Sequence, residues 1–145
     1  MLDKLTEIYN EFLEKGISVF SGDYKLSDDC DSVVIKYHGR YGVFLDIEKI
    51  RTYAQELEAV SHEYAHIETG TTYSIDAPYI VRRRAEVRAT RAQIKRLLPI
   101  NELREAMRNG YTEPYQLAEL FTVSERFVRQ ALEYYSGPCG YSFVN

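Results

Sequence analysis

Two histidines and a glutamate stand close together in VSHEYAHIETG, residues 60–70. His62 and His66 are four residues apart, and Glu63 follows the first of them, in a chain with three histidines in all. On a helix this spacing places both imidazoles on one face, where they can bind one Zn²⁺ at about 2.0 to 2.1 Å. Glu63 can then take a proton from the attacking water and return it to the leaving amine. This HExxH pattern predicts metal-assisted hydrolysis of a peptide bond, whereas the alternative is two surface histidines on an ordinary helix.

A catalytic zinc site takes three protein ligands, which leave a fourth position for water. No histidine follows His66 at the HExxHxxGxxH spacing, so a carboxylate from a second helix is the remaining common solution. Segment 77–99, APYIVRRRAEVRATRAQIKRLLP, holds one acid, Glu86, among seven bases. At about 100° per residue, most of these bases lie opposite Glu86. The face of Glu86 also carries Ala89, Gln93 and Leu97. We predict Glu86 as the third ligand; a salt bridge to Arg82 is the alternative.

A hydrogen-bond donor usually stabilises the oxyanion that forms beside such a metal. The candidates are His38, in a predicted turn, and Tyr73 and Tyr79, between the two site helices; we choose Tyr73 as the catalytic one. The alternative for each is a surface or half-buried residue with no catalytic part. An edge strand can hold a substrate backbone by strand addition, and Tyr41–Leu45 is our choice for that edge. Individual substrate-binding side chains are not identified.

Several elements must position these residues. Apolar residues spaced by three or four along residues 2–13 predict a helix that Gly16 ends. The runs Val33–Tyr37 and Tyr41–Leu45 predict a hairpin with its turn at residues 38–40. Thr52 is the expected N-cap of the HExxH helix, and Gly70 suits the left-handed position after its C-terminus. The predicted fold is α+β, a small antiparallel sheet packed on a helical body that includes the HExxH helix, a third-ligand helix and a C-terminal helical pair.

Composition limits the class of protein. At 145 residues, one domain is expected, with a zinc-site core in 1–99, a helical subregion in 100–136 and a tail in 137–145. Cys30 and Cys139 form no CxxC pair, and neither a signal peptide nor an apolar run long enough for a membrane span is recognised. These features predict a cytoplasmic protein that makes no membrane contact. The net charge of −4 argues against direct nucleic-acid binding.

The motifs HEYAH, ETGTTY and AEVRATRAQIKRLLP resemble the ImmA/IrrE family of zinc metallopeptidases, found in phages, mobile elements and bacterial stress responses. YTEPYQLAELFTVSERFVRQALEYY is similar to the C-terminal helices of phage-type members, and the resemblance covers about residues 17–135. It implies an intracellular peptidase that cleaves DNA-binding repressors, with His62, His66 and Glu86 as zinc ligands and Glu63 as the base. After its E-x-x-A step the chain departs from the pattern, since residues 90–93 read TRAQ where many members have Asn or Asp and then an aromatic.

The C-terminal third offers an alternative function. QLAELFTVSERFVRQALEYY predicts two short helices meeting at a turn at Thr122 and Val123, with Ser124 capping the second. A helix-turn-helix DNA reader has this form, and Arg126 and Arg129 would then contact the DNA. Residues 100–145 contain six Glu, four Arg and no Lys, so this region lacks the basic surface expected of such a reader. We rank a non-catalytic DNA- or protein-binding regulator second.

Overall fold

The computed structural model describes residues 3–143 of the chain, so Leu2 of the predicted first helix and residues 144 and 145 of the predicted tail lie outside the described residues. The elements in this range are α1 Lys4–Glu14, β1 Ser18–Gly22, β2 Ser32–Tyr37, β3 Arg40–Asp46, α2 Tyr53–Glu68, α3 Tyr79–Leu97, α4 Ile100–Arg108, α5 Pro114–Phe121 and α6 Glu125–Ser136. The prediction of an α+β fold is confirmed. The chain divides into two compact units, Met1–Gln93 and Ile94–Asn145, with the boundary inside α3. No helix within residues 3–143 has both the length and the apolar character that crossing a membrane requires.

The first helix has the apolar spacing and the ends that the sequence indicates. Asp3 caps it by accepting a hydrogen bond from the Thr6 N–H at 2.8 Å, and Gly16 follows its C-terminus with φ +69°. Its buried face consists of Leu5, Ile8 and Phe12. The Phe12 ring packs on Tyr64 of α2, with the ring centroids 5.2 Å apart. This contact fixes α1 against the helix that carries both histidines.

The sheet has three strands in the order β1-β3-β2. The predicted hairpin is present, since β2 pairs antiparallel with β3 and the turn residues His38 and Gly39 have φ values of +49° and +76°. The sheet differs from the antiparallel one that we predict in a single pairing, because β1 runs parallel to β3. Residues 23–31 carry the chain from one edge of the sheet to the other, which produces this direction.

The choice of Tyr41–Leu45 as a free sheet edge is wrong. These residues belong to β3, which is the central strand and hydrogen-bonds to a neighbour on each side. The edges are β1 and β2. The strand propensity of a segment indicates that it is extended, but not which strands flank it, and the flanking strand here comes from earlier in the chain.

The HExxH helix, α2, begins with a capping box in which Thr52 accepts from the Gln55 N–H. It ends where expected, since Gly70 has φ +66° and the Thr71 N–H donates to the His66 carbonyl at 2.8 Å. The C-terminal half of α2 buries polar as well as apolar residues, among them Glu63 and His66. This helix is in contact with α1 and also with the strands β2 and β3. The site residues on α2 are therefore partly enclosed by the sheet.

The second unit, taken by itself, contains α4, α5 and α6. Thr122 adopts the left-handed conformation between α5 and α6, and Ser124 caps α6 by accepting from the Phe127 N–H at 3.1 Å. The predicted helix pair and its turn are therefore confirmed. The buried side chains of this unit include Leu103, Leu117, Phe127, Val128, Ala131 and Tyr135.

Candidate metal centre

The residues singled out by their spacing lie together on two helices. His62 and His66 project from successive turns of α2, and Glu86 projects toward them from α3. The Nε2 atom of His62 lies 3.2 Å from Glu86 Oε1, and that of His66 lies 2.5 Å from Glu86 Oε2. The potential ligand atoms of these three residues all lie within 4.8 Å of one another, which is close enough for a single metal ion.

The other nitrogen of each imidazole is held by a hydrogen-bond acceptor. The Gln93 side-chain amide donates to the Glu58 carbonyl at 2.7 Å and to Ser61 Oγ at 2.9 Å, so its oxygen must face His62. His62 Nδ1 therefore donates to Gln93 Oε1 at 3.1 Å. Such acceptors behind a histidine fix its tautomer and orientation in metal sites.

His66 is held in the same way by the turn that ends α2. Its Nδ1 lies 3.1 Å from both the carbonyl oxygen and the hydroxyl of Thr71. A carbonyl oxygen can only accept, so Nδ1 is again the donor. Gly70 makes this contact possible, because its left-handed backbone turns the chain so that Thr71 comes back against the ring.

These contacts test whether the residues fit a metal ion. With hydrogen on Nδ1, an imidazole in its neutral form presents the lone pair of Nε2, and the Nε2 atoms of both rings face the oxygens of one carboxylate. Lone pairs at these separations repel one another unless a positive charge lies among them. Glu86 Oε2 is also buried without a well-formed hydrogen bond, despite its short distance to His66. The donor set and this buried oxygen fit a metal cation.

The electrostatics of the cluster favour positive charge. Burial raises the pKa of the Glu86 carboxyl, but the adjoining His62 and His66 rings outweigh burial and hold that pKa well below its usual range. Burial lowers the pKa of His62, but the Glu86 contact and the charges of Glu63 and Glu86 outweigh burial, so the pKa is raised. An anionic carboxylate beside two imidazoles is the charge state that a divalent ion requires.

Glu63 is separate from the ligand cluster and is buried, with 6% of its surface exposed. Ser32 of β2 donates a hydrogen bond from its hydroxyl to Glu63 Oε2 at 2.7 Å. Within residues 3–143, Ser32 is the residue that hydrogen-bonds this carboxylate. Burial, above all, raises the pKa of Glu63. The carboxylate is thus oriented by a strand of the sheet and is a stronger proton acceptor than an exposed glutamate.

A cleft of about 150 Å³ opens onto these residues. A water molecule occupies roughly 30 Å³ in the liquid, so the cleft has room for several waters or a peptide group. Its walls are formed by Cys30, Ser32, Val33, Val34, His62, Glu63, His66, Thr72, Tyr73 and Glu86. The three candidate ligands and the buried glutamate therefore face one common space.

Of the three oxyanion candidates, Tyr73 lines this cleft. Its ring centroid lies 6.0 Å from that of His66, and 40% of its surface is exposed. Burial raises its pKa, as do the charges of Glu86 and Glu63, so the hydroxyl keeps its proton. His38 packs edge-on against Tyr37 in the hairpin turn, and Tyr79 is 72% exposed; neither lines the cleft.

The sequence prediction missed three residues that support the site, Ser32, Thr71 and Gln93. A usable signal exists for Gln93, which lies seven residues after Glu86 and is the polar residue on a face shared with Ala89 and Leu97. A similar signal exists for Thr71, next to the glycine that ends α2. No local pattern singles out Ser32, because its partner is 31 residues away and the contact depends on how the sheet packs on α2.

Comparison of the chain with protein-family profiles, with curated proteins and with solved structures finds no match.

Proposed function

We propose that this protein is a zinc-dependent endopeptidase that hydrolyses a peptide bond in a cytoplasmic protein. The observation that carries the proposal is the convergence of His62, His66 and Glu86, with each histidine held from behind, in a cleft that also contains the buried Glu63. Two imidazoles and a carboxylate form a donor set that catalytic zinc sites use. A purely structural zinc site is closed by four ligands, and the described residues supply three here.

In the proposed reaction, different residues of the cleft have separate roles. When bound by the three ligands, Zn²⁺ would supply Lewis acidity at the scissile carbonyl and acidify the attacking water. Glu63 accepts the proton of that water on its carboxylate and then delivers it to the nitrogen of the leaving amine. Ser32 orients the carboxylate by holding Oε2, so that Oε1 is the oxygen available for proton transfer. Tyr73 donates its phenolic proton as a hydrogen bond to the developing oxyanion.

The edge strand β2 supports binding of an extended substrate. Its residues Ser32, Val33 and Val34 line the cleft, and its outer side has no neighbouring strand among the described residues. A substrate backbone that pairs with this edge passes the metal ligands in an extended conformation. We therefore assign substrate binding to β2 in place of Tyr41–Leu45.

The nature of the substrate rests on the resemblance to the ImmA/IrrE family. That resemblance implies a DNA-binding repressor of a phage or mobile element, cut so that the genes it silences are released. The order and spacing of the motifs support this proposal. The group formed by His62, His66 and Glu86 supports peptide hydrolysis and does not indicate which protein is cut.

Two substitutions test the peptidase directly. We expect Glu63→Gln to keep zinc and the fold but to lose cleavage of a labelled peptide library, because the amide cannot accept the proton. We expect Glu86→Ala to lower the bound zinc, measured by mass spectrometry, because one of three ligands is removed. Glu119→Ala, at an exposed site on α5, is the control and should change neither quantity. Full cleavage by purified Glu63→Gln would contradict the proposal.

The helix pair α5 and α6 supports a second candidate function, that of a DNA-binding regulator. Its geometry is the observation in favour, since α6 begins at a capped turn with Arg126 exposed. Against it, Arg129 lies 3.9 Å from Glu125, which reduces the charge offered to DNA. This function requires salt-sensitive binding to duplex DNA that the Arg126→Ala/Arg129→Ala double variant abolishes.

A further inference from the structure

The side of α3 that points away from the metal ligands carries a row of arginines. At about 100° per residue, Arg84, Arg88 and Arg91 lie roughly 140° to 200° from Glu86, within a narrow arc. All three are exposed. Within residues 3–143, neither Arg84 nor Arg88 makes an ion pair. We call these three arginines, with Ile80 and Val81, the outer face of α3.

This charge placement works against the stability of the helix. Arg84 and Arg88 are four residues apart and Arg88 and Arg91 three apart, and like charges at these spacings destabilise a helix by a few tenths of a kcal/mol per pair. Arg82, Arg83 and Arg84 also lie near the N-terminus, where the helix dipole disfavours cations, and the first turn of α3 contains no acid to offset them. A helix surface with both acidic and basic residues would be solvated equally well, so solvation alone does not explain a row of like charges.

Large apolar side chains lie at the N-terminal end of the same face. Ile80 is 53% exposed and Val81 is 46% exposed, and on the helix they flank the row of arginines at about 120° and 220° from Glu86. Ile75, in the segment before α3, is 91% exposed. The outer face of α3 thus combines an apolar end with a basic row.

We propose that the outer face of α3 binds an acidic protein segment that also carries aliphatic residues. Arginine binds carboxylates through two parallel hydrogen bonds, and the exposed guanidinium groups of Arg84 and Arg88, which make no ion pair within residues 3–143, are available for such contacts. Ile80 and Val81 favour a protein over a nucleic acid, because aliphatic side chains gain from apolar partners and add little to a phosphate contact. The net charge of −4 repels an extended polyanion, while a short acidic segment feels chiefly the local row of arginines.

This inference goes beyond the peptidase and does not depend on it. The outer face and Glu86 lie on opposite sides of α3, so a partner can bind there whether or not the cleft is catalytic. Binding can therefore be measured in the Glu63→Gln variant, and a failure of hydrolysis leaves the result unchanged.

The test is a binding titration of the full chain by fluorescence anisotropy. The probe is a labelled peptide that repeats Glu and Leu at helical spacing; its counterpart with Gln in place of Glu and a labelled DNA duplex are the comparisons. We expect the acidic peptide to bind in a salt-sensitive manner, and Arg84→Glu/Arg88→Glu to weaken it tenfold or more. Arg84→Gln/Arg88→Gln should weaken binding less, because it removes the charge without reversing it.

The matched control is Arg126→Glu/Arg129→Glu on α6, which changes the net charge by the same amount. We expect it to bind the acidic peptide like the wild type. Equal loss in both double variants would overturn the proposal, because it would show a response to net charge alone. Preference for the duplex, or equal affinity for the Gln counterpart, would also overturn it. Thermal unfolding of each variant confirms that any loss of binding occurs in a folded chain.

Discussion

Among the described residues, the hydroxyl of Ser32 is the side-chain group that orients Glu63 by a hydrogen bond. We predict that Ser32→Ala lowers kcat by about tenfold to a hundredfold, because a hydrogen bond to a charged group contributes about 1.5 to 3 kcal/mol. The zinc content should stay unchanged, because the hydrogen bonds of the Ser32 hydroxyl within residues 3–143 go to Asp31 and Glu63 and to none of the three candidate ligands. Steady-state kinetics and metal analysis of the same preparation measure both quantities.

Two further variants distinguish loss of the orientation of Glu63 from a general destabilisation of the sheet. Ser32→Thr retains the hydroxyl and should recover most of kcat, while Ser21→Ala changes an exposed serine of β1 and should have no effect. A rise in KM with unchanged kcat in Ser32→Ala would show that Ser32 serves substrate binding and does not orient the base.

Residue type and spacing select the four central residues of the candidate site, which the structure brings to one cleft. His62, Glu63 and His66 follow one another on a single helix, and Glu86 is the acid on the inward face of the next helix, so each selection needed local geometry alone. The residues behind them were less accessible to sequence reasoning. Ser32 and Gln93 are ordinary polar residues until the packing of α2 against β2 and α3 gives them partners.

At the scale of elements, the end of α2 is part of the candidate site. Gly70 holds φ +66°, and a Cβ added there meets no atom within 4 Å, so the backbone strain alone opposes a side chain. We predict that Gly70→Ala costs about 1 to 2 kcal/mol in the free energy of unfolding. It should also weaken zinc binding, because the turn places Thr71 against His66. Denaturant unfolding and zinc titration measure the two effects.

Gly16 provides a matched control at the end of α1. It has φ +69° and equally open surroundings, so Gly16→Ala should cost a similar unfolding free energy. It lies far along the chain from the ligands and should leave zinc affinity unchanged. If both variants lost zinc equally, the loss would reflect reduced stability, and the specific role of the turn after α2 would be wrong.

Local signals predicted the elements better than their assembly. The hairpin of β2 and β3 follows from two runs of β-branched and aromatic residues and the intervening turn, and the caps at Thr52 and Ser124 follow from their side chains. The parallel position of β1 beside β3 has no such signal, because it depends on the path of residues 23–31. The central place of β3 follows from the same nonlocal pairing.

At the scale of the whole molecule, the chain divides into two compact units, with the boundary inside α3. All four central residues of the candidate site, and the three side chains that hold them, belong to the first unit, Met1–Gln93. The first unit therefore contains its own candidate chemistry.

The ligands of the candidate site come from two helices that are separate in sequence, α2 and α3. A metal ion bound by both helices acts as a cross-link that the unfolded chain lacks. Metal binding should therefore raise the Tm of the chain. At a free zinc concentration about a hundred times Kd, the gain is roughly 2.7 kcal/mol. We predict that a chelator lowers the Tm of the wild type and leaves that of Glu86→Ala nearly unchanged, as calorimetry can measure. An equal Tm with and without chelator would mean that no ion joins the two helices. The Tm of this chain should therefore report how much of the protein has a bound metal ion.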